Sequence, residues 1–211
     1  FFHSIFNVVD AFWLGKIGAQ AIAAVALTWP IIFIVIALSS GLAIGCNALT
    51  SRSYGANDLP KTYKVAKTSL TLGIIFAIAL TILGIFLGPS LFRFLGAQDS
   101  LLKLAIEYSN IIFYGTIVWV LLFIFGAVLR GEGDTKTPMK IAIVNNVINI
   151  ILDPIFIFTF GLGVAGAAIA TVLSNIAALL IYIWFFRIHR PEVFSSCRGF
   201  CFDWQLVKDI L

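Results

Sequence analysis

Long apolar runs alternate with short polar breaks along this chain. Four stretches hold no Asp, Glu, Lys or Arg: residues 17–51, 68–92, 108–129 and 154–186. The shortest is 22 residues long and the longest 35. About 20 apolar residues, rising about 1.5 Å each, cross the hydrocarbon of a bilayer as a helix. Inside lipid every backbone N–H and C=O must find its partner within the protein, which leaves only helices and closed barrels. Barrel strands alternate polar and apolar over about 10 residues. The stretch Thr71–Leu87 does not alternate. The pattern therefore predicts an all-α, polytopic membrane protein.

Six helices read out of it. The first runs from Phe1 to about Leu14 and is expected to lack its beginning, because Phe1-Phe2-His3 already lies in an apolar stretch. Gly15-Lys-Ile-Gly18 marks a turn. The second covers about Ala21–Ser51. The third covers about Lys61–Leu87 and is expected to break at Gly88-Pro89. The fourth covers about Leu102–Leu129. The polar loop Arg130-Gly-Glu-Gly-Asp-Thr-Lys-Thr-Pro138 leads to the fifth, about Met139–Phe160. Gly161-Leu-Gly163 predicts a tight hairpin into the sixth, about Val164–Ile188. Residues 1–190 then form one six-helix unit. Residues 191–211 form a linker and the amphipathic start of a further helix.

Composition agrees and removes alternatives. Charged residues make up 11% of the chain, whereas soluble domains average about 25%. Such a chain cannot cover a water-facing surface. Of the 14 basic residues, 11 fall in or beside the loops after helices two, four and six. The positive-inside rule places those loops, and both ends of the chain, in the cytoplasm of a plasma or inner membrane. The net charge of +4 thus reflects topology, and no nucleic-acid partner is implied. Cys46 reads as a buried thiol. Cys197 and Cys201 form a lone C-x3-C, a weak metal signal.

The few polar residues inside spans carry the chemistry. Asp10 and Asp153 are the two carboxylates set well inside predicted spans. Each costs at least about 2.5–3.5 kcal/mol at a helix centre, so each marks a candidate site. Asn145, Asn149 and Asp153 recur at every fourth residue and drift only about 80° around a helix, so they line one face. Pro154 follows Asp153 and disfavours helix before it, freeing carbonyls near the carboxylate. Thr171, Ser174 and Asn175 form a second polar patch on helix six. Asn7 and Asp10 share a face of helix one. Carboxylate, amide and hydroxyl oxygens suit hard cations, and a desolvated Asp also exchanges protons. Both a sodium site and a protonation site stay open. Gly163-Val-Ala-Gly166-Ala-Ala-Ile-Ala reads as close helix packing. Trp13, Trp29, Trp119 and Trp184 belong to interfacial belts or to pocket walls.

Three motifs together resemble the first half of the multidrug and toxic compound extrusion (MATE) family. They are Asn7-Val-Val-Asp10-Ala-Phe-Trp-Leu-Gly15-Lys-Ile-Gly18, Leu129-Arg130-Gly131-Glu-Gly133-Asp134-Thr135-Lys136-Thr-Pro138, and Asn149-Ile-Ile-Leu-Asp153-Pro154 followed by Gly163-Val-Ala-Gly166 and Thr171. The resemblance implies one lobe of a twelve-helix transporter whose two lobes flank a central cleft. It implies an antiporter that exports small organic, often cationic, compounds in exchange for Na+ or H+, with no other cofactor. Asp10, Asn149, Asp153 and Thr171 would hold the cation, and Asn7, Asn145 and Asn175 would line the cleft. The loop Arg130–Pro138 would be structural. Partners would be the lipid bilayer, the substrate and a C-terminal lobe of the same protein.

Three other readings are weighed against it, one being a helical structural or channel-forming subunit, which ion flux without a counter-substrate would favour. A lipid-linked sugar flippase of the same architecture would carry a more basic cleft, and no Arg or Lys is predicted deep in a span. An intramembrane prenyltransferase would need clustered Asp residues for magnesium, whereas Asp10 and Asp153 stand alone in their helices. No enzyme is expected.

Overall fold

The computed structural model describes residues 11–195 and 204–210. Helix α1 occupies residues 11–17 and stops at Gly18, whose φ of 141° few side chains tolerate. Helix α2 (Ala19–Gly55) and helix α3 (Leu59–Phe94) follow. Asp58 begins α3 by accepting the Lys61 N–H at 3.1 Å, which satisfies a donor that the first turn leaves free. Helices α4 (Asp99–Tyr114) and α5 (Thr116–Gly131) are joined at Gly115. Helix α6 (Lys136–Pro154) runs into a π-helical turn, Ile155–Thr159. Helix α7 (Gly163–His189) returns beside it, and two short helices, α8 (Pro191–Ser195) and α9 (Trp204–Ile210), complete the described chain.

Four of these elements are long and apolar enough to cross a membrane: α2, α3, α6 with its π turn, and α7. The bent pair α4–α5 makes a fifth span. The predicted first span falls mostly on residues 1–10, outside the described residues. Large apolar side chains face outward along the spans, Phe94 being 87% exposed and Phe86 76%. Lipid is the solvent that such a surface suits, and the chain is an integral membrane protein.

Two expectations are corrected. Helix α3 does not break at Gly88-Pro89 but continues to Phe94. Proline removes one helical hydrogen bond, yet the last turn is held because Phe92 is fully buried in one core with Phe113 and Ala97. The fourth span is not continuous. It bends by 46° at Gly115. There a Cβ would lie 2.6 Å from a methyl of Val172 on α7, so the missing side chain lets Val172 pack against the α4–α5 backbone. The Thr81 hydroxyl of α3 donates to the Phe113 carbonyl beside the bend, at 2.9 Å. The glycine pair Gly161 and Gly163 makes the predicted hairpin, at φ of 66° and 55°.

The ends of α2, α5 and α7 and the starts of α3 and α6 gather at one basic end. Aromatic rings tie α5 to α7 there, with Phe125 stacked on Tyr182 at 5.8 Å and edge-on to Phe186 at 4.9 Å. Gly131 lets α5 close on α2, since a Cβ would meet Thr50 at 2.7 Å. The segment expected as a linker carries α8 and α9, both seated on the lobe. Helix α9 buries Leu206, Val207 and Ile210 against α2 and α3. A Cβ on Gly45 of α2 would overlap the Ile210 carbonyl.

The α5–α6 loop is held by charge. Arg190 Nε donates to Glu132 Oε2 at 2.9 Å, with side-chain exposures of 30% and 2%. Burial pushes the Glu132 carboxyl above its usual range, and Arg190 only partly opposes this. Burial also pushes Asp134 up, but hydrogen bonds from Thr137 and Lys136, with the Arg190 charge, outweigh it and leave that carboxyl lowered. Asp134 thereby holds the start of α6.

Two predictions follow from this packing, both read by thermal unfolding of the full-length protein in detergent. Gly115→Val drives a side chain into Val172 and costs about 1–3 kcal/mol; an unshifted melting temperature would refute the close approach. Arg190→Ala leaves a buried carboxylate alone and costs about 1–3 kcal/mol near neutral pH. Because the Glu132 pKa is raised, its protonated form is the better folded one. The R190A deficit therefore shrinks as pH falls through the folded Glu132 pKa, whereas Glu132→Gln gives a smaller deficit that this titration does not move. A pH-independent R190A deficit would rule the pairing out.

Candidate functional site

The candidate site forms where α6 gives way to its π turn. An α-helical N–H reaches back four residues, and Pro154 has none to give. The turn after it pairs five residues back instead, Phe160 N–H donating to Ile155 C=O at 3.0 Å. Such π turns recur at functional sites. Helix α7 lies directly against this turn. At Gly166 a Cβ would lie 2.6 Å from the Phe156 carbonyl oxygen, so only glycine allows the approach. The small-residue stretch is thus a packing device, as the sequence suggested, with Ala167, Ala168 and Ala170 all fully buried.

Two predicted residues lie on α6 just before this turn. Asn149 and Asp153 are both fully buried. They sit one turn apart, and Asn149 Nδ2 donates to Asp153 Oδ1 at 3.2 Å. Asn149 Oδ1 accepts no hydrogen bond among the described residues. A neutral amide that donates to a carboxylate while keeping its own carbonyl open is a fitting neighbour for a small cation.

The other predicted residues are placed less evenly. Thr171 is buried on α7, and its hydroxyl donates back to Ala167 C=O at 3.0 Å rather than across to α6. Ser174 does the same toward Thr171, at 2.9 Å. Asn145 Nδ2 donates to Asn175 Oδ1 at 2.9 Å, which joins α6 to α7. This amide pair lies one to two turns of α6 from the Asn149–Asp153 pair. Asn7 and Asp10 fall outside the described residues. Among those described, no group of three or more His, Cys, Asp or Glu side chains converges on one point. The magnesium cluster of a prenyltransferase has no counterpart among them.

Beside the Asn145–Asn175 pair a cavity of about 200 Å³ opens between α5, α6 and α7. Trp119, Arg130 and Tyr182 line it with the two asparagines. The tryptophans therefore divide by role. Trp119 walls the cavity, Trp13 packs edge-on to Phe158 at 5.9 Å, and Trp29 and Trp184 face outward. Sequence reasoning passed over Tyr182, which is one apolar-looking residue within an unbroken apolar run.

Comparison with known proteins places this geometry. The family model described as MatE matches residues 1–155. A model described as lipid II flippase MurJ matches residues 131–205. The probable multidrug resistance protein YoeA of Bacillus subtilis is 33% identical over 87% of this chain and 41% of its own length. An FAD transporter of Shewanella oneidensis is 35% identical over 82% of this chain and 39% of its own. The outward-facing structure of a multidrug resistance MATE family transporter superposes on all of this chain and 47% of its own, with a TM-score of 0.92 and 36% identity. The chain thus spans less than half the length of these relatives. They are transporters and not enzymes, and the match in sequence and in fold shows that this chain belongs to the MATE family.

Proposed function

We propose that the full-length protein is a secondary active antiporter that exports small organic compounds in exchange for Na+ or H+, with this chain as its N-terminal lobe. The observation that carries the reading is Asp153, a carboxylate fully buried in a membrane span and bonded to Asn149. An ionised carboxylate in such a place is expensive. A cation or proton that neutralises it lowers that cost, so occupancy of the site favours the packing in which it stays sealed.

Asp153 and Asn149 would hold the ion, with Thr171 and Asp10 completing the set. Thr171 already donates its proton to Ala167, so its hydroxyl oxygen offers only lone pairs to the site. The Pro154 break gives the end of α6 freedom to shift when the charge is neutralised. Substrate and coupling ion then compete for one state of the cleft between the lobes. The relatives are named for multidrug resistance and for FAD transport, which fits organic cargo of varied chemistry.

The basic end of the lobe is taken as cytoplasmic, with both chain ends on that side. Ten of the described basic residues gather there, Arg52, Lys61 and Lys136 among them, as the positive-inside rule requires. A second reading, a flippase for a lipid-linked sugar, is favoured by the MurJ match to residues 131–205 alone.

Two measurements test these readings. In proteoliposomes holding the full-length protein, Asp153→Asn should lower ion-driven efflux about tenfold or more. Imposing a sodium gradient and a pH gradient separately identifies the coupling ion. Undiminished gradient-driven efflux in the variant would sink the proposal, and movement of a lipid-linked sugar without any gradient would favour the flippase. For orientation, a Gly133→Cys variant in a cysteine-free background should react with an impermeant thiol reagent only in inside-out vesicles. Labelling of intact cells would reverse the assignment.

A further inference from the structure

Away from the Asn149–Asp153 layer, Arg130 is a charge with no assigned task. It stands near the end of α5, and the adjoining acid Glu132 is already held by Arg190. Asp134 spends Oδ1 on the Lys136 and Thr137 N–H groups. No carboxylate pairs with Arg130 among the described residues.

Arg130 is exposed, yet its side chain does not run straight off the helix end. It folds back along α5, where a Cβ on Gly126 would lie 3.0 Å from Nη1 and 3.3 Å from the Tyr182 hydroxyl. Glycine at 126 therefore leaves room for a guanidinium and a phenol to meet one turn inside the helix end. Both groups line the 200 Å³ cavity between α5, α6 and α7. A second hollow of about 340 Å³, between α2 and α5, borders the same guanidinium.

The lining carries donors from three side chains, beside one buried acceptor without a partner among the described residues, Asn145 Oδ1. An arginine offers five N–H donors and no acceptor. Tyr182 is 5% exposed, and its phenol hydroxyl can donate one hydrogen bond. Asn175 has its carbonyl taken by Asn145, which leaves its NH2 group to give. No acidic side chain lines the cavity. The guanidinium fork matches a carboxylate or a phosphate in two parallel hydrogen bonds. Trp119 and Phe123 supply a flat apolar wall beside it.

We propose that this cavity binds the anionic end of an aromatic organic compound, with its carboxylate or phosphate on Arg130, Tyr182 and Asn175 and its ring against Trp119 and Phe123. The inference rests on the transporter reading in that it names a class of cargo. It departs from the expectation that the cargo is cationic and that the Arg130–Pro138 loop is structural only.

The test is equilibrium binding by calorimetry to the full-length protein in detergent with no ion gradient. The probes are 2-naphthoate, 2-naphthyl phosphate and, as the cationic control, 2-naphthyl-trimethylammonium. Arg130→Gln should weaken whichever anions bind by about tenfold or more and leave the cation within about twofold. Arg130→Lys should recover only part, because an ammonium cannot form the fork. Comparing the two anions tells whether carboxylate or phosphate is the preferred group. The proposal is overturned if neither anion binds, if R130Q leaves their Kd unchanged, or if anion and cation weaken alike. Should R130Q fail to fold, Tyr182→Phe decides: an unchanged anion Kd overturns the proposal, and a selective loss supports it. A failed transporter reading shows separately, as absent efflux in proteoliposomes with anion binding intact.

Discussion

Backbone meets backbone where α7 crosses the turn that follows Asp153. At Gly166 there is no room for even a methyl group beside Phe156 and Ile157. That contact sets how near α7 lies to the end of α6, on which Asn149 and Asp153 are both fully buried. A carboxylate facing hydrocarbon instead would be penalised heavily by the bilayer. The missing N–H of Pro154 and the π turn after it belong to the same arrangement. They reshape the backbone so that one surface of it fits the groove that glycine and alanine leave on α7.

The lobe therefore carries two polar layers of different character along α6. The Asn149–Asp153 layer is sealed and holds a charge that must be matched from within. The Asn145–Asn175 layer joins the same two helices by neutral amides and opens onto a cavity. Closely packed small residues serve the first, and bulky aromatic residues wall the second.

How much of this the sequence disclosed follows from what lipid forbids. Charges are excluded from spans, so charge-free runs marked the helices. A carboxylate breaking such a run is costly enough to stand out, so Asp153 was readable, and Asn149 and Asn145 followed from helical spacing. The bend at Gly115 was not, because a glycine in an apolar run reads as tolerated helix until Val172 of a distant helix is known to press on it. The helix through Pro89 was hidden for a like reason, since Phe92 and Phe113 hold the turn from outside local sequence. Arg130 was read as a loop residue and is exposed, but only the space at Gly126 shows that its guanidinium also comes near the Tyr182 hydroxyl. The hydroxyl of Thr171 was placed correctly on α7, but its bond within that helix depends on a rotamer that spacing does not set.

The seat of α9 has a mechanical meaning. Its Ile210 peptide lies against α2 at Gly45 with no side chain between them, so the joint has little compliance. No rotamer change at that joint could absorb a shift of α9, as a side chain between the two backbones would allow. The next joint along α2 is equally stiff, because Gly131 of α5 lies against Thr50 and the Asn47 carbonyl. Asn47 and Arg130 border one hollow. The seat of α9 and the wall of that hollow are thus two uses of one short stretch of α2, residues 45–50.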